Sequence, residues 1–409
     1  MKIFGSSGKR TERREDREKR EKPEKPEKRI KPEKHEKPEK KKREKPEKRK
    51  GGRRALKVIL IILLVLLVLL GGLYVAFRMW ITPPDVEQIE PPRQHPQGID
   101  RPDEDREEQD PVVAHGWREN VFTILLAGED DEFGGTDVIM LILFDTDNHT
   151  MEVLSIPRDT VVNVPWGIKK INSVKNMYTR LDGDYGHYME ALTTEVEKLV
   201  GHRAHNWVTL DLRGFITLVD ALPSGGVYFN VPVRMWYADP YQDLLIDLQP
   251  GYQLLTGYQA MQLVRYRSYV EGDIQRIRVQ HDFLRALADQ LLQASNILLV
   301  DDLIRIFMSS VETDLSPANL GWFARQFLYL NQEDIRFHSV DNTIANINDS
   351  VNGISYVTLY VEPWLQLING YFNPFTWIIE EEDLEILTRD PETGNFFTTS
   401  GTPYLNWGS

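Results

Sequence analysis

The sequence predicts an α/β domain, with helices layered around a sheet, behind a charged tail and one membrane-spanning helix. Three observations predict it. Residues 58–77, "VILIILLVLLVLLGGLYVAF", form a run of twenty without a charge. Charge divides at the same place: residues 1–54 carry 25 Lys+Arg against 12 Asp+Glu, and the remaining 355 carry 24 against 50. Beyond the apolar run, short β-rich segments alternate with helical patterns, the sequence signature of helix packed on sheet. At 409 residues the chain also exceeds one ordinary domain.

Taken in order, residues 1–54 repeat KPEK-like units with almost nothing apolar to bury, and their prolines interrupt any helix. This is a disordered, charge-rich tail on the cytoplasmic side. It reads either as a polybasic arm for anionic lipid or nucleic acid, or as a solvated tether, and the interspersed glutamates favour the tether. The anchor spans 55–81, because twenty residues at ~1.5 Å each match a ~30 Å hydrocarbon core. Arg53, Arg54 and Lys57 flank its start, while acidic, proline-rich sequence follows it. The positive-inside rule therefore places the N-terminus in the cytoplasm and the bulk of the chain outside. The n-region is too long for a cleaved signal peptide. Residues 82–115 are an extended Pro/acidic spacer.

The domain proper covers 116–370. Strands are expected at "VFTILLA" (121–127), "DVIMLILF" (137–144), "MEVLSI" (151–156) and "VYFNVPV" (227–233), and helices at about 186–200, 212–222, 256–266 and 273–294. Residues 371–409 are acidic and turn-rich and read as a loosely held tail. The absence of cysteine excludes a disulfide framework, thiolate catalysis, zinc-thiolate sites and cysteine-held clusters. The acidic domain gives no reason to expect a nucleic-acid partner.

Against that acidic background the arginines cluster: Arg265, Arg267, Arg276, Arg278 and Arg285. A guanidinium is a planar fork suited to phosphate oxygens. Arg265 and Arg267 share a face if "VRYR" is extended; if it ends a helix they diverge by about 200°, and the last turn and following loop can still bring them together. The competing reading is that internal carboxylates pair with them all. Asp130 follows one strand and Asp137 begins the next, so both can reach one rim as ligands for Mg²⁺, although a glycine-rich turn in which Asp130 caps backbone N–H groups is the plainer alternative. "SIPRDT" supplies Arg158 and Asp159, and "KKINSVKNMY" supplies Lys170. Trp166, Trp207 and the aliphatics of "WVTLDLRGFITLVDAL" line a lipid groove or, more simply, fill the core.

The ordered stretches "ILLAGEDD", "TDVIMLILFDTDNHTMEVLSIPRDT", "KKINSVKNMY", "LVDALPSGGVYFNVP" and "MQLVRYRSYVEGDIQRIRVQ" together resemble the LytR-CpsA-Psr family of bacterial envelope phosphotransferases. The resemblance implies an αβα-layered domain with a mixed central sheet. It also implies a polyprenyl-pyrophosphate-linked glycan as donor, a peptidoglycan hydroxyl or similar envelope acceptor, and an apolar channel for the lipid. By the same resemblance Asp137, with Asp130, binds Mg²⁺. Arg158 and Lys170 lie near the head group, Arg265 and Arg267 bind pyrophosphate, and Asp273, Arg276 and Gln280 form a spaced group on the next helix. Asp130 or Asp273 is the expected base, with Arg158 stabilising charge.

Two positions depart from the family pattern: Gly135 stands where an arginine is common, and Glu132 where the first loop often ends in one. Their loss predicts weaker pyrophosphate binding unless Lys169 or Arg278 compensates. The alternatives to a transferase are a non-catalytic protein that binds the lipid-linked glycan or the wall, and a polyprenyl-pyrophosphate hydrolase.

Overall fold

The computed structural model describes residues 82–84, 116–130, 135–182, 185–240, 244–270, 272–293 and 300–403. The tail 1–54, the expected anchor 55–81 and most of the linker lie outside the described residues. No helix among the described residues is long and apolar enough to cross a membrane.

The domain opens with β1 (Val121–Asp130), β2 (Gly135–Asp145) and β3 (Thr150–Ser155), followed by α1 (Ser173–Asp182) and α2 (Tyr185–Val200). β4 (Asn206–Asp211) and α3 (Leu212–Asp220) lead to β5 (Val227–Val231), β6 (Met235–Asp239), β7 (Leu244–Leu248) and β8 (Gly251–Leu255). Next come α4 (Gly257–Arg265), α5 (Asp273–Leu291), α6 (Val300–Ser310), β9 (Val311–Thr313), α7 (Pro317–Phe327) and β10 (Ile335–Ser339). β11 (Ala345–Val351), β12 (Ile354–Leu359), α8 (Val361–Leu367), β13 (Leu387–Arg389) and β14 (Phe396–Thr398) complete the described elements.

The central sheet runs β10-β3-β2-β1-β4-β9. It is mixed: β1–β2, β2–β3 and β4–β9 pair antiparallel, while β1–β4 and β3–β10 pair parallel. Sequence patterning did not separate β4, a short strand of six residues that runs directly into the helix at Leu212. The four expected helices all form, close to where their periodicity puts them.

Side-chain alternation explains the long apolar runs of β1 and β2. Leu125, Ala127, Ile139, Leu141 and Leu143 face one side, where Leu192 and Trp364 complete a filled core. Ile124, Leu126, Met140, Ile142 and Phe144 face the other, where α3, α5, α6 and α7 enclose a cavity. Close packing sets α4 there. A Cβ on Gly257 would lie 2.2 Å from the Ile216 carbonyl oxygen, and the Gly257 N–H donates to the Asp220 carboxylate at 2.7 Å. The capping box of Thr256 and Gln259 starts the same helix.

One expectation is corrected here. Residues 371–403, the described part of the expected tail 371–409, are not loosely held, since Phe372, Phe375, Ile379, Leu384 and Ile386 all belong to the main core. Backbone bonds from Arg118 N–H to Pro374 O at 2.8 Å and from Thr376 N–H to Gly116 O at 3.0 Å join this segment to the start of the domain. Its acids mislead a composition-based reading because several serve as local caps at the surface, as Asp383 does for the Glu380 N–H, while the apolar residues between them turn inward.

Candidate functional site

A cavity of about 580 Å³ separates the sheet from α3, α5, α6 and α7. Its walls are apolar, and Phe215, Leu222, Phe283, Leu287, Phe307 and Phe323 are typical of them. One end is different: Asp137, Arg265, Arg267, Arg276 and Gln280 border it.

Asp137 reaches this rim through a β-bulge. The register passes from Gly128↔Val138 to Glu129↔Thr136, which leaves Asp137 as the extra residue on β2. A bulge re-aims the side chain it carries. One Asp137 oxygen accepts from Arg158 at 2.6 Å and the other from Arg267 at 2.6 Å. Burial pulls the carboxyl pKa upward, but the charges of Arg158, Arg267 and Arg276 outweigh burial and hold it below the ordinary value.

Each arginine is placed by its own local structure. Arg158 sits on a tight turn after β3, in which the Thr160 N–H donates to the Pro157 carbonyl at 2.9 Å. Strand β12 grips that turn from both sides: the Val357 N–H donates to Asp159 O, and the Val161 N–H donates to Val357 O, each at 2.9 Å. Arg265 ends α4, and Tyr266 is extended at φ −65°, ψ 129°. The buried ring of Tyr266 packs on Tyr269 at 4.8 Å. "VRYR" thus ends a helix, and the extended Tyr266 that follows brings Arg265 and Arg267 together, so that both line the cavity. On α5, Arg276 and Gln280 stand one turn apart on the face that continues through Phe283 and Leu287. Gln280 also donates to the Val264 carbonyl at 2.9 Å, which fastens α5 to the end of α4.

Six sequence-predicted residues thus come together: Asp137, Arg158, Arg265, Arg267, Arg276 and Gln280. Lys170 does not line the cavity; its ammonium lies 2.9 Å from Asp159 and over the ring of Tyr356. Asp130 ends β1 opposite Gly135, and Asp273 begins α5, but the side chains of both lie outside the described residues. Neither Lys169 nor Arg278, the two candidates to compensate for the missing cations, lines the cavity. Lys169 is buried with its ammonium donating to the Val164 carbonyl, and Arg278 is exposed, roughly 200° around α5 from Arg276. At Gly135 a Cβ would meet nothing within 4 Å. Of the aliphatic stretch, Leu210, Leu212, Phe215 and Leu218 line the cavity, whereas Trp166 and Trp207 pack against the filled core.

Sequence reasoning missed Glu129. It lines the same cavity, and its carboxylate accepts from Lys175, Tyr188 and Thr209. Burial raises its pKa, and those three partners more than reverse the effect. The available signal was an acid at the end of an otherwise apolar strand.

Three acids line the cavity among the described residues; Glu129 is engaged by Lys175, Tyr188 and Thr209 and Asp211 caps α3, so Asp137 is the one an Mg²⁺ ion would find at the arginine rim. That suits a magnesium site completed by water and substrate phosphates rather than an all-protein cage. No group of three or more potential metal-ligating side chains occurs among the described residues.

The LytR_cpsA_psr family matches residues 97–367. An uncharacterised protein of Staphylococcus aureus is 24% identical over 259 residues, which are 63% of this chain and 58% of that longer protein. The polyisoprenyl-teichoic acid–peptidoglycan teichoic acid transferase TagU of Oceanobacillus iheyensis is 27% identical over 259 residues, 62% of this chain and 76% of the relative. Among solved structures, Bacillus subtilis TagV aligns with a TM-score of 0.51 at 23% identity, over 62% of this chain and 96% of that one, a likeness of fold.

Proposed function

The chain belongs to the LytR_cpsA_psr family, and from that premise we propose that it is a membrane-anchored transferase of the cell envelope. It moves a glycosyl phosphate from a polyprenyl-pyrophosphate-linked glycan to a wall acceptor such as a peptidoglycan hydroxyl. The observation that carries this reading is an apolar cavity ending in an arginine-rich rim around Asp137. The relative named as a teichoic acid transferase supports the same class of reaction. The apolar run at 58–77 supports a single-pass anchor with the domain outside the membrane.

In this reading the polyprenyl chain occupies the apolar cavity, where each Å² removed from water contributes roughly 25 cal/mol. Asp137 keeps Arg158 and Arg267 aimed at the rim until pyrophosphate oxygens take over those charge-assisted bonds. The phosphoanhydride breaks, a phosphodiester to the acceptor oxygen forms, and polyprenyl phosphate departs. Arg265, Arg267 and Arg276 stabilise the charge that develops on the departing phosphate. The acceptor proton passes to a carboxylate, Asp130 or Asp273; Asp137 is poorly suited because its arginines hold its pKa down. Asp137 would hold Mg²⁺, whose chemistry is neutralisation of phosphate charge.

A second reading, binding of the lipid-linked glycan without transfer, is favoured by Gly135, which supplies no cation where the family commonly has one. Incubating detergent-solubilised full-length protein with a synthetic polyprenyl-pyrophosphate disaccharide and peptidoglycan fragments, with and without Mg²⁺, separates the two by mass analysis of the products. The transferase yields phosphodiester-linked glycan and polyprenyl phosphate, and Arg267→Ala reduces donor affinity roughly ten- to a hundredfold. Donor binding without product supports the second reading, and phosphate release to water alone indicates a hydrolase.

A further inference from the structure

Behind the Asp137–Arg158 pair lies a hydroxyl–imidazole contact that the transfer scheme does not use. The Ser155 Oγ and His281 Nε2 are 2.7 Å apart, and both residues are buried. Ser155 ends β3, three residues before Arg158, and His281 follows Gln280 on α5, so the contact joins the strand that leads to Arg158 to the helix that carries Arg276 and Gln280. Ser155 also borders a gap of about 20 Å³ shared with Asp137, Arg158, Arg276 and Gln280. That volume accommodates one water-sized atom.

The bonding capacity of the two groups restricts what this contact does. A serine hydroxyl has one proton to give and can accept two hydrogen bonds, and a neutral imidazole donates from one nitrogen only. His281 stays neutral at physiological pH. Burial, reinforced by Arg285 and His338, holds its pKa down to about 4, and its ring packs on Phe337 at 5.0 Å. If Nε2 accepted the serine proton, Ser155 would present only lone pairs to a gap that guanidinium groups prepare for an anion. If Nε2–H donates to Ser155, the hydroxyl proton is available to the gap.

We propose that His281 donates from Nε2–H to Ser155, and that the Ser155 hydroxyl donates in turn to one oxygen of the pyrophosphate bound at the arginine rim. Ser155 is then a substrate-contacting residue beyond the arginines, and His281 is a positioning residue that acts through it. This inference rests on the donor class assigned under Proposed function.

Full-length protein in detergent, titrated calorimetrically with farnesyl pyrophosphate and separately with farnesol, tests it. Ser155→Ala should weaken farnesyl pyrophosphate binding roughly tenfold, the low end for one hydrogen bond to a charged group. Farnesol binding should stay unchanged. His281→Phe should weaken pyrophosphate binding as much, and the double substitution no further, because the two act as one unit. His281→Gln should restore it, since the amide Nε2–H replaces the ring N–H. Undiminished pyrophosphate binding by Ser155→Ala overturns the proposal alone, as does a loss shared equally by farnesol, which would mean a packing role. A His281→Gln protein as weak as His281→Phe overturns the assigned donor direction. Failure of the wild-type chain to bind farnesyl pyrophosphate removes both this inference and the donor class on which it rests.

Discussion

The two faces of the central sheet are built from the same strands and treated oppositely. Leu141 is fully buried among α-helical and C-terminal residues, whereas its neighbour Ile142 faces the cavity. A filled face gains contact on every side, while a cavity wall forgoes part of that gain. The contrast teaches that the apolar residues of β1 and β2 have two employments: one set stabilises the fold, and the other keeps a space open for a ligand.

The largest effect should appear where that contrast is sharpest. Leu141→Ala should cost about 2–5 kcal/mol in chemical denaturation, and Ile142→Ala on the order of 1–2 kcal/mol, because part of its surface already adjoins open space. Equal losses at the two positions would break the comparison. The polar end of the cavity face comes next. Asp137→Asn should reduce stability by about 1–3 kcal/mol at neutral pH, since the carboxylate is only partly exposed and has two guanidinium partners. Its folded pKa is depressed, so its contribution is present above the ordinary carboxylate range and is lost as pH falls through the folded value. Denaturation curves of the two proteins should therefore differ at pH 7 and converge in acid; a gap that persists below the folded pKa would contradict the assignment.

A third substitution addresses the ligand directly. Ala324 lines the cavity, and Ala324→Trp should reduce binding of a long polyprenyl pyrophosphate by about 1–3 kcal/mol while sparing geranyl pyrophosphate. Titration with both chain lengths checks this, and equal losses would place the lipid elsewhere. The smallest effect is expected at Lys170. Its partner is Asp159 rather than the cavity, so Lys170→Met should leave donor affinity unchanged and cost ~0–1 kcal/mol of stability. A large loss of donor affinity would return Lys170 to the head group.

Much of this was legible before any coordinates. The strands at 121–127, 137–144 and 151–156 are written in short β-rich runs, and the helices at 186–200 and 273–294 in 3.6-residue periodicity. Charge alone singled out Arg265, Arg267 and Arg276 together with Arg278 and Arg285, which do not line the cavity, whereas Asp137, Arg158 and Gln280 were assigned through the family resemblance. Lys170 shows the limit of that reasoning. Motif position brought it close to Arg158 in the fold, but a local carboxylate, Asp159, captured its charge. The segment after Tyr371 failed for a related reason: composition averages its surface acids with the buried Phe372 and Ile386, although they have opposite environments.

Sequence by itself determined the order of charge and apolarity along the chain, the alternation that gives each strand two apolar faces, and the presence of cationic groups with no obvious internal purpose. These are properties of neighbours, fixed by spacing of a few residues. Tertiary structure alone decided that one face would close and the other stay open, that a bulge would turn Asp137 outward, and that an extended Tyr266 would send Arg265 and Arg267 to the same rim. The meeting of these elements depends on contacts between residues more than a hundred positions apart, such as Asp137 with Arg267, whose energies no local window of sequence contains.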